Sequence, residues 1–132
     1  MEYWRHRRNR RIGNRYEFYI NHLLQEDGWD VLRRGQMGVH DRGIDLIATK
    51  NHRTRYVQCK GWSPKAEIHE NVIDQLLGSV VYQEGIENIR NVEMYIYSPA
   101  EPSDYTKAVA DKLNITIVHE DFPKWKRKHQ YL

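Results

Sequence analysis

The sequence predicts one α/β domain with a mixed β-sheet flanked by helices, its elements in the order αβββαβαβ. Three observations predict it. Apolar residues recur at spacings of three and four in two segments, about residues 10–27 and 67–84. A polar turn at Asn51–His52 separates two β-rich runs, GIDLIATK and RTRYVQCK, which calls for an antiparallel hairpin. The second half then reads strand–helix–strand, so a right-handed crossover with parallel pairing is expected there. A length of 132 residues suits one domain with a modest core, and the chain carries no internal repeat or low-complexity linker.

Each element has its own signal. In the first helix, Arg10 to Asp27, the apolar stripe is Ile12, Tyr16, Tyr19, Ile20, Leu23 and Leu24, and Gly28 is its stop. WDVLRRG, residues 29–35, is a short first strand. The glycine-containing loop QMGVHDRG follows, in which His40 and Asp41 read as Asx-turn or packing residues. After the hairpin, Pro64 suits a turn or a helix start. The second helix, about Glu67 to Glu84, carries Ile68, Val72, Ile73, Leu76, Leu77, Val80 and Val81. VEMYIYS, residues 92–98, is a strand. Ser103 or Asp104 caps a third helix reaching Leu113, and ITIVHE, residues 115–120, closes the sheet.

Charge is distributed unevenly. The formal net charge is +3, yet ten of the 21 Lys+Arg sit in two terminal segments. These are Arg5, Arg7, Arg8, Arg10, Arg11 and Arg15 at one end, and Lys124, Lys126, Arg127 and Lys128 at the other. Between Tyr16 and Pro123, 11 Lys+Arg face 17 Asp+Glu, a balance of −6. Such ends serve either as solubility arms or as contacts to a polyanion such as nucleic acid. No run of 18 apolar residues offers a membrane span. The basic N-terminus lacks the apolar core of a signal peptide, and the lone Cys59 permits no internal disulfide. A cytoplasmic protein is expected.

The hairpin holds polar groups where core is expected. Alternation puts Tyr56, Gln58 and Lys60 on one face of the second run and Val57 and Cys59 on the other. A turn centred on Asn51–His52 sets Asp45 opposite Gln58, with Lys60 on the diagonal. A carboxylate, an amide oxygen and the Cys59 backbone carbonyl are ligands of the kind Mg²⁺ or Mn²⁺ prefers. A lysine beside them can orient water and stabilise charge on a phosphate. The same residues also read as a cross-strand Asp45–Lys60 ion pair on a solvated face.

The wider pattern resembles the PD-(D/E)XK nuclease superfamily, in its Mrr-like restriction endonuclease branch. The steps that carry the resemblance are Tyr16-Glu17-Phe18 followed by NHLLQEDGWDV, Asp41 to Ala48 with GIDLIA, VQCK at residues 57–60, and Gln75 to Gly78. They come in order, and the similarity spans about residues 12–122. It implies a restriction-endonuclease-like core between a basic arm (1–11) and a basic tail (123–132). By position it makes Asp45 the metal-binding acid, Gln58 the occupant of the second-acid place and Lys60 the catalytic lysine. Glu17 becomes a helix-borne carboxylate near the metal, and Gln75 a supporting group. Gln in the second-acid place is typical of the branch, and it leaves Glu17 to restore the missing charge.

The expected function is Mg²⁺- or Mn²⁺-dependent DNA endonuclease activity, with the basic ends on phosphates. Restriction enzymes of this branch join the nuclease to a recognition domain, for which these residues leave no room. That suits a structure-specific enzyme such as a Holliday-junction resolvase, whose paired cuts would call for a homodimer. From another class, a catalytically inactive DNA-binding module would keep the fold and the basic ends. A purely structural protein would leave Asp45, Gln58 and Lys60 unexplained.

Overall fold

The computed structural model describes residues 15–34, 43–61 and 68–123. Helix α1 covers 15–26 and ends where Gly28 takes a positive φ of 91° that favours glycine. Then follow β1 (Asp30–Arg33), β2 (Leu46–Lys50), β3 (Arg53–Cys59), α2 (Glu70–Glu84), β4 (Glu93–Ser98), α3 (Asp104–Lys112) and β5 (Ile115–His119). The five strands form one sheet in the order β1-β2-β3-β4-β5. The first three are mutually antiparallel, and β4 and β5 add in parallel. The element order along the chain, the antiparallel hairpin and the parallel second half are those the sequence predicts.

Local chemistry explains the joints. Asn51 and His52 both take positive φ (50° and 66°), as a two-residue hairpin turn requires. That turn fixes the register, with Leu46 against Val57 and Lys50 against Arg53. Ser103 caps α3, its Oγ accepting from the Thr106 N–H at 3.2 Å. Ile68 departs from expectation. It is buried before α2 begins, bridging Pro102 in parallel fashion, because His69 is extended and takes the N-cap position.

The sheet separates two cores. Against α1 lie Leu46, Ala48, Val57, Cys59 and Tyr97, packed with Tyr16, Tyr19, Ile20 and Leu24. Against α2 and α3 lie Tyr56, Met94, Ile96 and Ile115, packed with Ile73, Leu76, Val80 and Ala110. The alternation expected in β3 therefore holds for Tyr56 against Val57 and Cys59. Each fully buried aliphatic side chain contributes about 1.5–3 kcal/mol, so both layers are needed to hold the sheet. Among the described residues, no helix is long and apolar enough to cross a membrane.

Candidate active site

The start of β2 and the end of β3 lie side by side, and the alternation of β2 breaks there. In a regular strand, residues i and i+2 line one face. Here Ile44 packs in the α2 core while Leu46 packs in the α1 core. Between them, Asp45 donates its N–H to the Val57 carbonyl at 2.8 Å, while its own carbonyl accepts from the Arg34 N–H at 3.0 Å. Its two backbone groups thus serve opposite neighbours, the behaviour of a bulge that re-aims a side chain. The Asp45 carboxylate accepts from the Cys59 N–H at 2.8 Å.

This corrects the expected pairing. The register continues as predicted down to Leu46, but Asp45 lies outside the ladder and its amide meets Val57 rather than Gln58. The physical reason is the loop before it. Any Cβ at Gly43 would run into the Gln75 backbone carbonyl and the Ser79 hydroxyl of α2, so the chain is pressed onto that helix. Arg34 then draws the Asp45 carbonyl towards β1.

The re-aimed carboxylate comes near Glu17 on α1. Burial comes first, then the Asp45 charge, in pushing the Glu17 carboxyl up to about 7; Arg33 pulls it the other way. Arg33 Nε lies 3.3 Å from Glu17 Oε1, with side chains only 10% and 14% exposed. The Arg33 guanidinium also lies over the Phe18 ring, 3.5 Å from its centroid. The ion-pair partner of Glu17 is therefore Arg33, a residue the sequence reading did not single out. The available signal was β1 alternation, which puts Val31 and Arg33 on the α1 side.

Gln58 is 4% exposed, and its Oε1 has no hydrogen-bond partner. A buried unsatisfied oxygen costs roughly 1–3 kcal/mol, so its retention calls for an explanation. Cys59 contributes backbone rather than sulfur: burial foremost, then Asp45 and Glu17, push its thiol well above the ordinary value and keep it protonated. N–H and C=O of a strand residue lie on the same edge. Since the Cys59 N–H reaches Asp45, its carbonyl faces that edge as well.

Lys60 follows the last residue of β3 and is fixed through its backbone. Its N–H donates to the Tyr97 carbonyl at 2.9 Å, and its carbonyl accepts from the buried Ser98 hydroxyl at 2.8 Å. Gly61 is pressed against the Tyr16 ring, where a side chain would collide. Glu17, Asp45, Gln58, Cys59 and Lys60 thus hold adjoining places at one end of the sheet. Gln75 is exposed, and it touches the region through its carbonyl against Gly43. Arg15 opens the described part of α1. Arg5, Arg7, Arg8, Arg10, Arg11, Lys124, Lys126, Arg127 and Lys128 lie outside the described residues. Among the described residues, no three of His, Cys, Asp and Glu gather as a metal-holding group, so any such site needs the amide and carbonyl oxygens.

The model of the Mrr catalytic domain, a restriction endonuclease family, matches residues 11–118. The chain belongs to this family. Solved structures agree on the fold. A repair endonuclease from Pyrococcus abyssi aligns with TM-score 0.54 and 17% identity over 80% of this chain and 44% of its own. The protein AF1548, of unknown function, aligns with TM-score 0.60 and 16% identity over 79% of this chain and 56% of its own. The EndoMS–double-stranded DNA complex gives 0.53 and 16% over 75% and 39%. At such identities the likeness establishes a restriction-endonuclease-like fold. The Mrr-type chain spans roughly half or less of these proteins, and no curated protein matches it.

Proposed function

We propose that this Mrr-type domain is a divalent-metal-dependent DNA endonuclease. The observation that carries the reading is the buried, unpartnered Gln58 Oε1 at the sheet end that also holds Asp45 and Glu17, where burial first and the Asp45 charge second raise the proton affinity of Glu17. Like charges brought together and partly buried are unfavourable unless a cation joins them. The orphaned Gln58 Oε1 and the Cys59 carbonyl complete a donor set made wholly of oxygen, which fits Mg²⁺ or Mn²⁺. When bound, such an ion would supply Lewis-acid charge at the phosphate and ease deprotonation of the attacking water.

The protein's own residues have distinct tasks. Asp45 and Glu17 would provide the anionic ligands, with Gln58 and the Cys59 carbonyl as neutral ones. The Lys60 ammonium, its backbone held by β4, would orient the water and stabilise charge developing on the phosphate. DNA is the substrate favoured by family membership and by the basic ends, whose phosphate contacts would make binding salt-sensitive. Paired cuts on a junction would need two such sites, hence a homodimer.

The test is cleavage of plasmid and four-way-junction DNA with Mg²⁺, with Mn²⁺ and with chelator. Lys60→Ala and Asp45→Asn are expected to lower the rate on the order of 10³-fold each while the fold survives. Metal-independent cleavage, or full activity in both variants, overturns the reading. DNA binding without cleavage under any metal would make the domain a binding module.

A further inference from the structure

We infer that Arg33 is a substrate-binding residue of this site, presenting a guanidinium fork to a DNA phosphate beside Glu17. The inference rests on the proposed nuclease reading and goes further by naming a second cation. Three features of Arg33 support it.

The first is placement. Arg33 ends β1, pairs with Leu46 in β2, and precedes the residue whose N–H holds the Asp45 carbonyl. It therefore borders both carboxylates. The second is rigidity. Phe18 supports the face of the guanidinium and Nε is engaged by Glu17, so the group is held before any ligand arrives. The third is unused capacity. Among the described residues, the ion pair to Glu17 uses Nε alone, and neither terminal nitrogen of Arg33 is a buried atom lacking a partner. The terminal nitrogens are thus the donors not committed to Glu17, on a side chain that is 10% exposed. A planar fork with uncommitted donors beside a phosphodiester-cleaving centre matches two phosphate oxygens, a fit that a lysine ammonium lacks.

The arrangement also balances charge. Arg33 offsets Glu17 and Asp45 in the metal-free protein. Once those carboxylates engage a cation, its charge becomes available to the incoming phosphate. Two cations, Lys60 at the end of β3 and Arg33 at the end of β1, would then flank the scissile group.

The experiment measures binding of a fluorescent duplex by anisotropy, in chelator and across a salt series, for the full chain. Cleavage kinetics in Mg²⁺ run in parallel. Arg33→Met is expected to weaken metal-free binding roughly tenfold and to lower the salt slope by about one. Arg33→Lys keeps the charge without the fork and is expected to bind several-fold more weakly than wild type. Glu17→Gln is expected to lose cleavage yet bind metal-free DNA at least as tightly as wild type. Arg90→Met, an exposed position on the 3₁₀ turn Ile89–Asn91 that leads into the opposite end of the sheet, is the unaffected control. Wild-type affinity and salt slope in Arg33→Met overturn the inference even if cleavage falls, since Arg33 would then serve only to hold Glu17. Should Arg33→Met fail to fold by circular dichroism, wild-type affinity in Arg33→Lys overturns it instead. A wild-type protein that neither binds nor cuts DNA overturns the nuclease reading itself.

Discussion

The two ends of the β3 strand treat charge in opposite ways. At its start, Arg53 and Arg55 both reach Glu93, with contacts of 2.7 and 3.0 Å. Trp29 and Tyr95 lie against the Arg55 guanidinium, 4.3 and 3.7 Å from its centre, and the Tyr97 hydroxyl accepts from it at 3.2 Å. Every charge there has a partner. At the other end, Glu17 and Asp45 oppose each other and Gln58 keeps an empty acceptor. The first end is arranged for stability. The second gives up stability for groups that a ligand would satisfy, as functional sites do.

Breaking the satisfied end should cost most. Arg55→Met strips Glu93 of a partner and uncovers the faces of Trp29 and Tyr95. A loss of about 3 kcal/mol is expected from urea unfolding, with DNA cleavage intact in whatever remains folded. A loss below about 1 kcal/mol would show that the cluster is ordinary surface pairing.

The pH dependence should have opposite signs at the two ends. Glu17 holds its proton up to about pH 7 when folded, against 4.5 in the unfolded chain. Its contribution in the metal-free protein is complete below pH 4.5 and is lost as pH rises through 7, on the order of 3 kcal/mol in all. Burial raises the Glu93 carboxyl, but hydrogen bonds from Arg53 and Arg55 outweigh it and leave the group lowered. Its contribution is present at neutral pH and is lost on acidification. Urea midpoints from pH 4 to 8 in chelator should therefore slope downward on the alkaline side, and Glu17→Gln should flatten that slope. An unchanged slope in the variant would remove the claim of crowding.

The smallest effect is the sharpest. Gln58→Met keeps volume and removes the orphaned oxygen, so a gain of about 1 kcal/mol is expected together with loss of cleavage. A destabilised variant would mean that the amide has a structural partner after all.

Much of this comparison was legible in the chain. Periodicity gave the helices, and Asn51–His52 set the hairpin register down to Leu46 because a two-residue turn leaves no slack. Glu17 emerged only through the resemblance, since an acid on an amphipathic helix carries no signal of its own. The break at Asp45 was not legible. It comes from Gly43 wedging onto α2 and Arg34 capturing a carbonyl, both long-range contacts. Arg33 was legible only in part: alternation with Val31 puts it on the α1 side, but nothing local says that it meets Glu17 there. Ile68 followed the helical spacing yet was claimed by Pro102, a tertiary contact overriding a local pattern.

The hydrogen bond from Ser98 to the Lys60 carbonyl joins residues 38 positions apart. The β2–β3 hairpin closes through neighbours in sequence, whereas β4 can dock only after the α2 crossover has formed. Contacts of the first kind assemble early and those of the second late. A refolding chain should therefore show hairpin protection in hydrogen exchange before it regains activity, with the lysine secured only when the parallel half of the sheet arrives.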